Sequence, residues 1–244
     1  MGGRMEMLAG TSGYSYKEWV GPFYPEKLPA SGMLRYYAGR LRTVEIHNTF
    51  YRMPAESMLA KWVEEVPEGF AFTLKAPRSI THLRRLADVE STVAEFLKRA
   101  AVLRDRLGVV LFQLPPFLKK DLPRLRAFLR LLPPGQEVAM EFRHDSWQDD
   151  EVHAALREQA VMLCISDTDR GDTPLISTSD HTYLRLRRTQ YGDDELKAWV
   201  ERLSSQPLTR AYVYFKHEGE GLAPRLARRF DELWRAKVRS SVLG

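Results

Sequence analysis

Only one cysteine, Cys164, occurs in the chain, so an intramolecular disulfide is excluded. It lies inside the apolar run 161–165 and reads as a core residue, the usage of a reducing compartment. No apolar stretch approaches the ~18 residues of a membrane-spanning helix. Residues 1–7 lack the apolar segment of a secretory signal. A soluble cytoplasmic protein with no membrane partner is therefore expected. Several chemical signatures are also missing. There is no G-x-G-x-x-G after the first strand candidate, no Walker loop, no G-x-S-x-G elbow, and no H-x-x-x-H or C-x-x-C pair. Neither a cofactor nor a metal is expected.

What is present fits a globular protein, with 44% hydrophobic and 28% charged residues. The net charge of +5 leans toward anionic partners. Many cations, such as Lys98, Arg99, Arg104, Arg106, Arg225, Arg228 and Arg229, fall on helix faces where solvation alone accounts for them. The length of 244 residues lies within the ~200–250 that α/β barrels use as one domain. No linker, low-complexity segment or short repeat interrupts the chain. A single monomeric domain over 1–244 is expected, led by a flexible tail over 1–6.

Short apolar runs alternate with helical patterns from end to end. The strand candidates are 7–11, 43–47, 71–75, 109–114, 137–142, 161–166, 182–187 and 211–216. Helical spacing is clearest over 91–107, with Ser91 as N-cap and Gly108 as the stop. Asp121 with Pro123 opens another helix. Others are predicted over 31–40, 56–65, 150–159, 193–203 and 223–235. Strand followed by helix, repeated about eight times, predicts a parallel sheet closed into a (β/α)₈ TIM barrel, an α/β fold. The unit after the sixth strand is degenerate, because 168–180 is rich in Asp, Thr, Ser and Gly.

Alternate residues of a barrel strand point inward. Five strands share one polar parity: Glu45 and His47, Thr73 and Lys75, Glu141 and Arg143, Arg185 and Arg187, Tyr214 and Lys216. Gln113 extends the set on a sixth strand. Their apolar alternates must face helices, so the polar members must face the lumen near the strand C-terminal ends, where barrel enzymes keep their sites. Such charges must pair with one another or with a ligand.

The loops after the strands carry aromatic and basic residues. The first holds Tyr14, Tyr16, Trp19, Phe23 and Tyr24; the third Arg78, His82, Arg84 and Arg85; the fifth His144 and Trp147; the seventh Arg188 and Tyr191. Rings beside cations suit stacking and phosphate neutralisation. A metal site built from His47, Glu141, Asp167 and His217 is the rival. The neighbouring Lys75, Arg143, Arg185 and Arg187 would repel a cation.

Several motifs together resemble one family. They are 10–16 (G-T-S-G-Y-S-Y) with Trp19 and 21–25 (G-P-F-Y-P), 44–52 (V-E-I-H-N-T-F-Y-R), 75–77 followed by 80–82, 110–116 (V-L-F-Q-L-P-P), 141–147 (E-F-R-H-D-S-W), 183–187 and 212–215. In order, and over nearly the whole chain, they are similar to the domain-of-unknown-function 72, or YecE-like, family. The resemblance implies a (β/α)₈ barrel with some likeness to the xylose-isomerase and endonuclease-IV group, and no settled activity. Two positions depart from the family pattern: His47 stands where Asn is usual, and Lys216–His217 where Asn-Asn is usual.

The expected function is binding of an anionic, phosphate-bearing ligand at the strand C-terminal face, with DNA or RNA among the forms it can take. Lys75, Arg143, Arg185 and Arg187 would hold anionic oxygens. Glu45 and Glu141, with Lys75, are the candidates for acid–base chemistry. Tyr14, Trp19, His47, Asn48, Tyr51, Gln113, Trp147, Asp167 and Lys216 complete the ligand-binding candidates. The alternatives are a metal-dependent isomerase or hydrolase of a small sugar-like substrate, and a non-catalytic binding module.

Overall fold

Eight parallel strands close into a ring in the computed structural model, which describes residues 5–243. They are β1 (Glu6–Ser12), β2 (Thr43–Ile46), β3 (Ala71–Lys75), β4 (Leu107–Gln113), β5 (Val138–Glu141), β6 (Met162–Thr168), β8 (His181–Leu186) and β9 (Arg210–Phe215). The ring runs β1 to β6 in order, then β8 and β9, and β9 pairs back onto β1. Helices α1 (Met33–Ala38), α2 (Glu56–Glu65), α3 (Glu90–Ala100), α4 (Leu122–Leu129), α5 (Asp150–Glu158), α6 (Asp193–Ser204) and α7 (Leu222–Leu243) connect and surround the strands. This is the TIM barrel that the alternation predicts.

The expected degenerate unit is present. No helix separates β6 from β8 among the described residues; instead β7 (Gly171–Asp172) folds back antiparallel onto the end of β6. The tail expected over 1–6 needs correction in part. Residues 1–4 lie outside the described residues, whereas Glu6 is the first residue of β1 and pairs with Arg210 at 2.8 Å.

β4 shows how composition becomes packing. Its sequence is apolar from Val109 to Phe112, as a strand buried on both faces requires. Phe112 points outward, with ring centroids 4.9 Å from Phe128 on α4 and 6.5 Å from Phe96 on α3. Val109 and Leu111 point inward, joining Leu8, Met162, Cys164, Tyr183, Tyr212 and Tyr214 in the lumen.

Helix α4 begins as expected, with Asp121 Oδ1 accepting the Arg124 N–H at 3.0 Å and Pro123 in its first turn. Helix α3 differs. It ends at Ala100 and passes into a tighter turn broken at Arg104, where φ is 52°. Ser91 lies inside the first turn and does not cap it. Gly108 belongs to β4 and stops no helix: a Cβ there would stand 3.3 Å from the Ala71 Cβ and 3.6 Å from the Tyr212 ring. The tight neighbour is Ala71 on the adjacent strand, while the tyrosine would be met at ordinary van der Waals distance. No helix among the described residues is long and apolar enough to cross a membrane.

Barrel lumens usually stack branched aliphatics. Here three tyrosines carry hydroxyls into the lumen, and Tyr214 Oη lies 2.6 Å from Thr43 Oγ1 and 2.8 Å from Thr73 Oγ1. The interior therefore turns polar before it reaches the strand C-terminal ends.

Candidate functional site

Strand register sets the first layer of the site. Ser12 is level with Glu45, Gln113 with Glu141, and Ser166 with Arg185. The Arg185 guanidinium spans the lumen between two carboxylates, 2.8 Å from Glu45 Oε1 and 2.7 Å from Glu141 Oε2. Glu45 also accepts from Ser12 Oγ at 2.7 Å and Tyr183 Oη at 2.5 Å. Glu141 accepts from Gln113 Nε2 at 2.7 Å, Arg187 Nη2 at 3.1 Å and Arg143 Nε at 3.3 Å. Arg187 donates to Ser166 Oγ as well. Glu45 and Glu141 are buried, as is Arg185.

A second layer of cations lies above this network. Lys75 Nζ donates to Gln113 Oε1 at 2.8 Å and sits 4.1 Å over the Phe50 ring. Its nearest hydrogen-bonding partner is thus an amide, not a carboxylate. Burial, with Arg185 close by, pushes its ammonium down to about 8. Burial would raise the Glu45 carboxyl, but Arg185 and the Tyr183 and Ser12 hydroxyls hold it below the usual carboxylate range. Glu141 is driven well below that range: burial opposes ionisation, and Arg185, Arg187 and Arg143 override it. Burial also lowers His47, and the cations Lys216, Arg185 and Lys75 add to the shift against Glu45.

These cations line a pit of about 130 Å³, whose walls include His47, Tyr51, Lys75, Arg143, Arg187 and Lys216. Two larger grooves share lining residues with the pit. His47 also lines a groove of about 820 Å³ running over β1, β2 and α2. Arg143, Arg187 and Lys216 also line one of about 990 Å³ over β5, β6 and β7. Within this surface, His47 Nδ1 and Arg187 Nε are buried without a hydrogen-bond partner.

The structure thus brings together Glu45, Lys75, Gln113, Glu141, Arg143, Arg185 and Arg187, with His47, Tyr51 and Lys216 at the same pit. Tyr14 and Asn48 line the first groove. Three expected ligand residues are elsewhere. Trp19 is 0% exposed, its indole N–H donates to the Glu218 carbonyl at 3.0 Å, and Tyr16, Phe23 and Tyr24 surround it. Trp147 is buried, stacks on Phe142 at 4.7 Å and donates to the Leu118 carbonyl at 2.7 Å. Both are packing residues that fix the loops.

Asp167 has the outward parity of β6. It is buried against α6, accepting from Trp199 Nε1 at 3.0 Å, Tyr191 Oη at 3.0 Å and Arg188 Nε at 2.6 Å. That contact set also ties down Arg188 and Tyr191, while Arg78, Arg84 and Arg85 are exposed. The four candidate metal ligands do not converge: Asp167 faces α6, His217 Nε2 meets the Arg188 carbonyl, and Glu141 is held by three guanidinium groups. No group of three His, Cys, Asp or Glu among the described residues is arranged to hold a metal ion.

Sequence reasoning missed Ser12, Ser166 and Tyr183 in the network, although each shares the parity of an assigned neighbour. It also missed Phe50 beneath Lys75 and the groove residues Met53, Met58 and Trp62. Those three fall in a loop and on a helix, where strand parity carries no information.

The UPF0759 protein YecE of Escherichia coli (strain K12) is 30% identical over 141 residues, covering 55% of this chain and 52% of YecE. The chain spans about half the length of the curated relatives it matches. A DUF72 family protein from Thermotoga maritima MSB8 superposes with a TM-score of 0.82 at 28% identity, over 94% of this chain and 99% of that one. A D-psicose 3-epimerase superposes with a TM-score of 0.53 at 12% identity, over 97% of this chain and 98% of that one, a likeness of fold alone. The model of the family described as "Protein of unknown function DUF72" matches residues 8–242, and the chain belongs to that family.

Proposed function

We propose that the barrel mouth binds an anionic, phosphate-bearing ligand, with its charged oxygens in the pit. The observation that carries this reading is the surplus of cations: Lys75, Arg143, Arg185, Arg187 and Lys216 line the pit, and the buried carboxylates paired with them are Glu45 and Glu141. The two carboxylates are consumed by Arg185, Arg187 and Arg143, and Lys216 has only the exposed Glu218 at 3.9 Å. A pit of about 130 Å³ holds roughly four waters at ~30 Å³ each, the scale of one phosphate group. Guanidinium forks suit its oxygens, and the unpartnered Arg187 Nε is a donor in waiting.

Acid–base roles for Glu45 and Glu141 lose support from their surroundings. A general base works best with a pKa near the operating pH. Both carboxyls are held below the usual carboxylate range, so they serve to hold the arginines in place. Lys75, at about 8, is the group in the pit suited to moving a proton near neutrality.

The test is calorimetric titration with inorganic phosphate at low salt. Wild type should bind, and Lys75→Met and Arg143→Gln should each weaken binding about tenfold, the value of one charge-assisted hydrogen bond. Absence of binding, or affinity unmoved by both variants, sinks the reading. A second reading, a single- or double-stranded nucleic acid lying across the mouth, draws on exposed Arg78, Arg84 and Arg85 in the loop after β3. The burial of Trp19 and the tethering of Tyr191 remove two of the expected stacking platforms, so the smaller ligand is favoured.

A further inference from the structure

We propose that the groove over β1, β2 and α2 takes the organic part of the ligand, and that this part is flat and apolar, as in a phosphate monoester of an aryl group. This rests on the phosphate reading of the pit and gives that site a substrate class.

The two cavities border one another at His47, which lines both, so a ligand with its phosphate in the pit would extend past His47 to place its organic part in the groove. At about 820 Å³ the groove matches the ~300–1,000 Å³ of small-molecule sites. Its lining is chemically unlike the pit. Tyr14, Tyr16, Met53, Pro54, Met58 and Trp62 present rings and thioethers, alongside Arg52 and Arg99.

The ring-bearing wall is rigid. Tyr16 stacks toward His47 at 6.5 Å, and its hydroxyl is fixed on the Ser12 carbonyl at 2.8 Å. That placement needs Gly13, where φ is +86° and a Cβ would stand 2.6 Å from the Tyr16 hydroxyl. Trp62 is held by stacking on Phe72 at 5.6 Å. One turn before Trp62 on α2 the lining is adaptable, since Met58 is 51% exposed and an unbranched thioether can move to meet a ring.

The groove on the other side of the pit fixes the direction. It is lined by His144, Asp145, Gln148, Thr168, Arg170 and Asp172, its apolar members are two prolines, Pro116 and Pro174, and the buried Phe142, and it has no methionine. A cation surplus in the pit also favours the dianion of a monoester over the single charge of a diester.

The experiment compares three probes by calorimetry: inorganic phosphate, glycerol phosphate and phenyl phosphate. Phenyl phosphate should bind about tenfold tighter than glycerol phosphate, the gain expected from shielding one ring face from water. Met58→Ser and Ala55→Trp, one removing the adaptable wall and one filling the groove, should each bring that ratio to about one; both positions are exposed, so the fold tolerates them. Equal affinity for the two esters, or a ratio that survives both variants, overturns the groove assignment while inorganic phosphate binding keeps the pit. Failure of all three probes to bind overturns pit and groove together.

Discussion

Arg185 on β8 reaches Glu141 on β5 across the barrel lumen, Nη1 to Oε2 at 2.7 Å, with both side chains buried. Breaking a buried pair from one side leaves the other charge uncompensated. Glu141→Ala should therefore cost about 3–5 kcal/mol in the absence of any ligand. For a domain of this size each kcal/mol corresponds to about 2–4 °C of melting temperature. Urea denaturation with the midpoint and slope both recorded is the check. A midpoint equal to wild type would mean that water reaches Glu141.

Trp19 supports the loop after β1 from below, with its indole N–H on the Glu218 carbonyl. Trp19→Ala should destabilise the protein by about 3–5 kcal/mol, as for other large aromatic truncations. Trp19→Phe, which keeps most of the ring volume, should cost less and leave phosphate affinity within about twofold. A large affinity loss in a fully folded Trp19→Phe protein would return the residue to the ligand site.

The barrel and the pit were legible because strand alternation is a strong constraint. Val44 and Ile46 pack outward, so Glu45 had no direction but inward, and the same logic placed Lys75, Glu141 and Arg185. Alternation fails beyond the strand ends. Asp167 still belongs to β6, but its parity is the outward one, which its acidic character disguised. Trp19 and Trp147 sit in loops, where an aromatic ring that covers the barrel reads the same as one that binds a ligand. Burial decides between them, and burial depends on contacts distant in sequence, such as Trp19 with Glu218.

The opposite end of the barrel holds a pH-sensitive pair. His181 Nδ1 lies 3.2 Å from Glu137 Oε2, and Glu137 also pairs with Arg210 at 2.8 Å. Glu137 raises the His181 imidazole above its ordinary value, against the effect of burial. The stability this contributes is fully present below the unfolded imidazole pKa of about 6.5 and is lost as pH rises through the raised folded value. Glu137 is lowered, since His181, Tyr212 and Arg210 outweigh burial, so its share fades only in acid. Between about pH 6 and 9, wild type should lose more melting temperature than His181→Gln does. Parallel curves would show that the pair contributes nothing.

Lys75 gives ligand binding its own pH signature. Its ammonium is pushed down to about 8, mainly by burial and then by Arg185. A phosphate monoester has its second pKa near 6, so the ligand stays a dianion from about pH 7 to 9. Phenyl phosphate affinity should hold up to about pH 7.5 and fall as Lys75 deprotonates. Lys75→Met should bind more weakly and show no such fall. An identical decline in both proteins would assign the titration to another group.

A salt titration separates a small ester from a nucleic acid strand. Arg84 and Arg85 are exposed in the loop after β3, with Arg85 over the Phe117 ring at 5.3 Å and Arg84 held to the Asp88 carbonyl at 2.9 Å. Neither lines the pit. For a small ester, Arg84→Ala/Arg85→Ala should leave phenyl phosphate affinity unchanged. For a strand, log affinity falls with log salt by about 0.7–0.9 per phosphate contact, so the same double variant should flatten the slope by roughly two contacts. Lys75→Met would then lower affinity for every sequence alike, since a phosphate contact reads no base. Oligonucleotides that fail to bind at ~50 mM salt, where phosphate contacts are strongest, would leave Arg84 and Arg85 as solvated surface. The pit would then belong to the small ester alone.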